Sequence, residues 1–576
     1  MKKRLFPLLG ALLAGLAGCG GENAKTEPGG ISSAEFCGPA LARVDTFMAT
    51  VPEEARGERY GGTAVVGTVG ELAVGMNGFQ ALESGAIQHQ MFVNLMTLVQ
   101  YDELLRPVPY LAESWEVSDD LKELTFRLRD DVYWHDGVPT TAHDVAFTYR
   151  RAVDPATGFP NPGFFEYYLP VDEAVEVVDS FTVRFRFSRA HSDFMDPWRT
   201  VAIMPRHLLA DAPPEELARH PFGTVCPVGN GPFRFVSHTS DGRWTFAANP
   251  AFPEGLGGRP YLDRYVYRPI EEHTTLLAEL LTENIDVYVA PLPHHIPRIR
   301  EEQHLRVLSF PHRSVFFAGW NGRVPKLADA RVRRALTLGT NRRQILEGIR
   351  AGRGELANTG VPRIHWAYDS TLADSLSYDP ARARDLLTEA GWVDRDSDGV
   401  RESPGGEPLR IELLYNPNQE RREVAEIMQA QLGEVGVDLR PRAMEMTALV
   451  ERITSREREF EGVLISWETE FRLDERDLFH SDAVDGAYAF SGTRDPELDR
   501  LLDTLQLIPD REEARRAWRD YQERIIELQP YTFLYYPDRQ EGVNVRLRDV
   551  IMDVRGEWVN IRDWWIAPQD RKKGPS

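Results

Sequence analysis

The chain has 576 residues, 42% of them hydrophobic and 10% aromatic, enough apolar content for several cored domains and too much for a disordered chain. Its 89 acidic side chains against 67 Lys and Arg leave a formal charge of −22, which excludes a binder of nucleic-acid backbones, since that needs clustered cations. Nucleic acid is therefore not among the expected partners. In chain order, Lys2, Lys3 and Arg4 precede an apolar run over residues 5–16 that is shorter than the about 20 residues of a spanning helix. That run ends in small residues before Cys19, which is the layout of a signal peptide. Residues 20–62 are rich in Gly, Pro, Glu and Lys and read mostly as a tether, with one short apolar patch over residues 36–48. After Gly61-Gly62, residues 63–69 (TAVVGTV) predict a strand buried on both faces, followed by a loop to residue 85 and a helix over 86–98.

The most patterned stretch is residues 110–150. Leu124, Phe126 and Leu128 alternate with Thr125, Arg127 and Arg129, the period of a half-buried strand. Asp136-Gly137 turns the chain, Pro139 stops the pairing, and Thr141 with Asp144 has the form of a capping box. Ala142, Val145, Ala146 and Tyr149 then share one helical face. Residues 158–169 (GFPNPGFFEYYL) form an aromatic loop, and Phe181, Val183, Phe185 and Phe187 predict another half-buried strand. Residues 274–281 are helical by spacing, and residues 316–321 read as a strand. Asp329 caps a helix bearing Val332, Ala335 and Leu336, and Asp379-Pro380 opens one bearing Ala383, Leu386, Leu387 and Ala390 that Gly391 ends. Val424, Ile427, Met428 and Leu432 mark a further helix before a strand at 437–439, and Leu498, Leu501, Leu502 and Leu505 mark another after Asp495-Pro496. Strands alternating with helices predict an α/β fold.

Two groups of side chains suggest metal chemistry. Asp394, Asp396, Asp398 and Gly399 match the front of a calcium loop, but position twelve is Gly405 instead of the bidentate Glu, so the acidic turn reads as structural. His294-His295 lacks further ligands at suitable spacing and reads as a solvated pair. No metal and no cofactor are expected. No G-x-S-x-G, H-E-x-x-H, Walker A or paired-cysteine motif is found, so an enzyme is not the expected reading.

Several strings carry a resemblance. Leu111-Ala112-Glu113-Ser114-Trp115, Leu128-Arg129, Trp134-His135-Asp136-Gly137 and Ala142-His143-Asp144-Val145, in this order, resemble the signature of the extracellular solute-binding proteins of the dipeptide- and oligopeptide-binding class, family 5, the receptors of ATP-driven importers. Asn230-Gly231-Pro232-Phe233 and Asn249-Pro250 resemble further elements of that family. The resemblance implies an α/β, two-lobed periplasmic-binding-protein fold of the large, hinge-connected type with a small inserted domain. Its parts would be a signal peptide (1–18), a tether (19–60), lobe I (61–98 and 206–312, closed by 538–566), the inserted domain (99–205) and lobe II (313–537). Leu16-Ala17-Gly18-Cys19 resembles a bacterial lipobox, which implies acylation of Cys19 and an extracytoplasmic protein held on a membrane by its lipid. With Cys19 acylated, Cys37 and Cys226 either form a disulfide that pins the tether to the body or remain two buried thiols.

The same resemblance implies a ligand site between the lobes. Ile465-Ser466-Trp467-Glu468-Thr469-Glu470 stands where peptide-binding relatives show W-x-x-D, which makes Trp467 a packing surface and Glu470 the partner of a ligand amine, with Glu in place of Asp. Tyr415-Asn416-Pro417-Asn418 resembles a ligand-facing loop, with Asn418 and Arg421 as candidates, the latter because a guanidinium grips carboxylates bidentately. Gln80, Glu83, Tyr167 and Tyr168 complete the set from loops that face the cleft in relatives. The expected function is capture of a solute, with peptides at the family's centre, and its delivery by a monomeric receptor to an ABC permease and its ATPase. The alternatives are a secreted hydrolase, a signalling receptor, or a receptor for an oligosaccharide or metal chelate.

Overall fold

The computed structural model of the chain describes residues 33–52, 57–80, 84–159, 169, 174–190, 198, 201–373, 375–469, 473–505, 507–508 and 510–572. In the signature region, Leu124, Phe126 and Leu128 are buried on one face of the strand Glu123–Leu128, which pairs antiparallel with Ala112–Val117 and Thr182–Arg186. Val175–Asp179 completes this separate four-stranded sheet. The Asp144 carboxylate accepts the Thr141 backbone N–H at 2.9 Å, satisfying a donor at the start of the helix Ala142–Val153. That helix buries Val145, Ala146 and Tyr149 on the sheet, as their spacing requires. The hydrophobic side chains of this sheet join the same core as those of lobe I.

The N-terminal segment departs from the tether reading. Ser33–Met48 is a helix, and Ala40 and Val44 belong to the main core. Phe36, Cys37, Ala40 and Val44 fall at i, i+1, i+4 and i+8, one apolar stripe that begins the patch over residues 36–48 and needs a helix to come together. Phe36 meets His220 edge-on at 4.6 Å, Arg43 pairs with Asp136 at 3.2 Å, and Cys37 is joined to Cys226 by a disulfide. Gly137 is the residue that accommodates this helix. It has φ +86°, and a Cβ there would lie 2.7 Å from the Phe47 ring.

The helix expected over 86–98 is shorter. It covers Ser84–His89 and continues as a π-turn over Gln90–Asn94. Beyond it the backbone is claimed by other partners: the Asn94 carbonyl accepts from Gly231, and Leu98 donates to Trp198 at 3.0 Å. Long-range pairing there overrides local helical spacing.

Both lobes share one 12-stranded sheet. Lobe I contributes Thr63–Thr68 parallel to Arg264–Pro269 and Val287–Tyr288, extended by Trp244–Ala248 and Phe233–His238. Lobe II contributes Ser314–Trp320, Gly462–Glu468, Arg410–Tyr415 and Asp438–Ala443. Tyr531–Asn544 runs through both. Its first part pairs with Ser314–Trp320 and Gly354–Leu356, and from Asp538 onward it pairs with Leu305–Pro311. The chain therefore crosses between lobes at His312-Arg313 and again at Pro537-Asp538. Alternate residues of Ser314–Trp320 feed two cores on opposite faces of lobe II, Phe316 and Trp320 on one and Val315 and Phe317 on the other. The C-terminal segment is fixed to lobe I by a buried pair, Arg546 to Asp286 at 2.5 Å, whose carboxylate also accepts the Val65 N–H at 2.8 Å. Among the described residues no helix is long and apolar enough to cross a membrane.

Candidate functional site: the cleft between the lobes

The carboxyl ends of the parallel strands of both lobes point at the crossing. Glu468 lies opposite Ser314, the first residue after the crossing, and Tyr288 lies opposite Gly542, just past the second crossing. Open α/β sheets offer their ligand crevice at such carboxyl ends, because the loops that follow supply free backbone and side-chain groups there.

On one face of the lobe II sheet, Arg421 projects from the first turn of the helix Gln419–Gly433. Its guanidinium donates to Asn416 Oδ1 and, at 3.1 Å, to Ser466 Oγ, and it lies 5.8 Å from the Phe316 ring centre. Burial depresses its pKa, and no carboxylate forms an ion pair with it among the described residues. Beside it, Phe316 stacks on Tyr535 at 5.1 Å, and the Tyr535 hydroxyl donates to Glu420, which Arg350 grips through both oxygens at 2.6 and 3.0 Å. Trp467 stands on the opposite face, edge-on to Tyr488 at 5.3 Å and to Phe490 at 6.4 Å, with Tyr488 46% exposed. The strand's alternation separates Ser466 from Trp467, so the cation and the aromatic platform flank the sheet edge from two sides.

The crossing itself is charged and buried. Arg539 Nε donates to Glu541 at 2.8 Å and Nη1 lies 2.7 Å from Glu557, so one guanidinium serves two carboxylates. Glu541 also accepts the Ala290 N–H at 2.5 Å, yet burial still pushes its pKa up to about 7. Gln88 donates to Glu557 and accepts its backbone N–H at 2.7 Å. Burial, with Arg539 and Arg313 nearby, lowers His312 to about 3, so its ring is neutral at physiological pH. Arg313 pairs with Glu468 at 2.6 Å and donates to the Thr469 carbonyl at 2.7 Å.

The other expected residues fall as follows. Asn418 is the N-cap of its helix, its side chain accepting the Arg421 N–H at 3.2 Å. Gln80 donates to the Thr157 carbonyl at 3.0 Å, tying its loop to the start of the aromatic loop. Cys19, Glu83, Tyr167, Tyr168 and Glu470 lie outside the described residues. In the acidic turn, Asp394, Asp396, Asp398 and Glu402 bring carboxylate oxygens within 4.8 Å of one another. The fourth carboxylate comes from position nine of the loop instead of twelve, and Glu402 is already held by the Arg395 N–H at 2.7 Å. Neither His294 nor His295 joins a metal-spaced cluster among the described residues; His295 faces the Tyr288 hydroxyl at 3.2 Å.

Comparison with known proteins gives this architecture a family. The family model described as bacterial extracellular solute-binding proteins, family 5 Middle, matches residues 106–480, which run from the signature region through most of lobe II. The chain belongs to this family. It is thus an extracytoplasmic solute-binding protein, consistent with its disulfide. Among family relatives, it is 26% identical over 511 residues to the oligopeptide-binding protein AppA of Bacillus subtilis, covering 88% of this chain and 92% of AppA. It is 30% identical over 379 residues to the dipeptide-binding protein of Escherichia coli, covering 62% of this chain and 67% of that protein. The structure of Bacillus subtilis AppA in complex with a nonapeptide matches with a TM-score of 0.72 and 27% identity, over 89% of this chain and all of AppA. NikZ of Campylobacter jejuni, solved with Ni(L-His), shares the fold at a TM-score of 0.71 and 24% identity, over 87% of this chain and 99% of NikZ.

Sequence reasoning missed the groups that gather at the crossing between the lobes: His312, Arg313, Arg539, Glu541 and Glu557. Each is a common charged residue in an unremarkable string; Arg539 and Glu541 are two apart on one strand, but Glu557 and Glu468 reach Arg539 and Arg313 from distant segments. Tyr488 and Phe490 escaped it too, although an exposed aromatic just after a D-G turn is a signal of a recognition surface.

Proposed function

We propose that the protein captures a peptide in the interlobe cleft and delivers it to an ABC permease and its ATPase. The observation that carries this reading is the match, over the whole of AppA, to a structure holding a nonapeptide. The cleft chemistry agrees with it. Arg421 offers a guanidinium with no ion-pair partner among the described residues to a ligand carboxylate, and Trp467 with Tyr488 and Phe490 offers an aromatic surface to ligand side chains. By its place in the W-x-x-E string Glu470 would pair with a ligand amine, and Glu83, Tyr167 and Tyr168 are further candidate contacts. Closure of the lobes buries the peptide, and the permease senses the closed form. Acylation at Cys19 keeps this monomeric receptor on the membrane surface, with residues 20–32 as its tether.

The test is mass spectrometry of small molecules released on denaturing protein purified without residues 1–19. Peptides of mixed sequence are the expected result. A single sugar or a metal chelate would keep the fold and overturn the substrate. If the protein comes through purification empty, titration with a peptide library followed by thermal shift replaces the measurement, and absence of any stabilising peptide overturns the reading.

A further inference from the structure

A cavity of about 710 Å³ lies on the helix Ala142–Val153. His143, Phe147, Arg150, Arg151 and Asp154 fall at i, i+4, i+7, i+8 and i+11 and so form one stripe along that helix and its C-cap, and Arg206 faces them from the next wall. Its volume is in the range of small-molecule sites and well beyond a single water or ion.

The walls are fixed at both ends. Asp144, while capping the helix, accepts the Arg206 backbone N–H at 2.9 Å, and Arg151 donates to the carbonyls of Ala210 and Ala212 at 3.3 and 3.2 Å while lying 5.5 Å from the Phe147 ring centre. What remains open is charge. Among the described residues, three guanidiniums and an imidazole face the cavity against one carboxylate, Asp154, which also caps the Ala156 N–H at 3.0 Å. The Arg206 side chain is exposed and makes no hydrogen bond or ion pair, and the Arg150 side chain reaches the Val175 carbonyl at 3.5 Å, among the described residues. In the adjoining sheet, Arg127, Arg184 and Arg186 each pair with a glutamate. In a chain of net charge −22, three arginines gathered around one cavity without a carboxylate partner among the described residues are unusual.

We propose that this cavity is an anion site that takes a phosphate group, carried either by a soluble phosphorylated molecule or by a lipid head group. Guanidinium forks match phosphate oxygens bidentately, and the excess of positive charge around the cavity suits an anionic phosphate group. None of the residues lining this cavity is among those assigned to the peptide, so the proposal does not rest on the peptide reading.

The test uses the chain without residues 1–19, which removes nothing of the described fold. Calorimetry with pyrophosphate is run beside flotation with vesicles of phosphatidylcholine alone and of phosphatidylcholine mixed with phosphatidylglycerol. Pyrophosphate binding assigns the site to soluble phosphorylated molecules; retention only by the phosphatidylglycerol vesicles assigns it to a head group. In either case Arg206→Ala, whose side chain supports nothing in the fold, is expected to weaken binding by about tenfold or more, the loss of one charge-assisted contact. Arg150→Ala gives the same loss, Arg422→Ala on lobe II does not, and added salt weakens binding. The proposal is overturned if neither probe binds, or if Arg206→Ala and Arg150→Ala both bind as the parent does.

Discussion

Arg421 reaches its position because Asn418 caps the helix that carries it and Asn416 and Ser466 orient its guanidinium. Both orienting groups are neutral, so the cation's charge remains available to a ligand. Replacing it by Ala is expected to weaken peptide binding by about tenfold to a hundredfold, the value of a charge-assisted bond of about 1.5–3 kcal/mol, with little change in melting temperature. Calorimetry on the parent and variant checks this. Glu475 is a different case, a buried carboxyl whose Oε2 accepts from the Tyr521 hydroxyl and whose pKa burial raises to about 7. Its unfolded value is about 4.3, so below that pH both states are protonated and the residue costs nothing. As pH climbs towards 7 the unfolded chain ionises first and stability falls; above 7 the loss is constant. Glu475→Gln keeps the shape and removes the charge. It should flatten the decline between about pH 4.5 and 7, where the parent loses about 1.4 kcal/mol for every tenfold fall in proton concentration, and leave the variant more stable at about pH 8. Chemical denaturation across that range decides the matter, and a variant as pH-dependent as the parent refutes it.

Among the elements, the N-terminal helix Ser33–Met48 shows how a short apolar stripe is held. Its own burial is modest, so the Cys37–Cys226 disulfide, spanning 189 residues, and the Arg43–Asp136 pair share the task. Cys226→Ser, or reduction, is expected to cost about 2–5 kcal/mol and to expose the helix to protease before the body unfolds. Limited proteolysis with N-terminal sequencing reads this directly. The helix illustrates what was legible from residues alone. Its stripe of Phe36, Cys37, Ala40 and Val44 is in the sequence, but the partners it needs, His220 and Asp136, lie on distant segments. The helix over 84–94 fails in the same way, since the strand and turn contacts that end it come from residues 198 and 231.

At the scale of the molecule, the two lobes touch away from the crossing. Tyr101 and Leu105 of the small sheet's flank pack with Ile364 and Val554, and Arg511 donates to the Leu105 carbonyl at 3.1 Å while lying 5.4 Å from the Trp366 ring centre. These contacts join the lobes at a distance from the crossing, so removing one is expected to shift the balance towards a more open form. Arg511→Ala is expected to raise the radius of gyration of the ligand-free protein in small-angle scattering and to weaken peptide affinity by less than about tenfold, because the change acts through the open-to-closed population alone. An unchanged scattering curve would show that Arg511 does not bias closure.

The sequence by itself determined the local grammar of this protein. The alternation of Leu124, Phe126 and Leu128, the cap at Asp144, the turn at Gly137 and the helical stripes of lobe II each follow from backbone geometry and burial within a few residues, and the ordered strings around Trp134 and Ala142 carried the family. Only the tertiary structure decided where the chain crosses between lobes, that Tyr531–Asn544 serves both, and that Arg539 reaches Glu557. Those features depend on contacts between residues far apart in the chain, and such contacts are fixed by the packing of whole elements, to which no local pattern of residues corresponds.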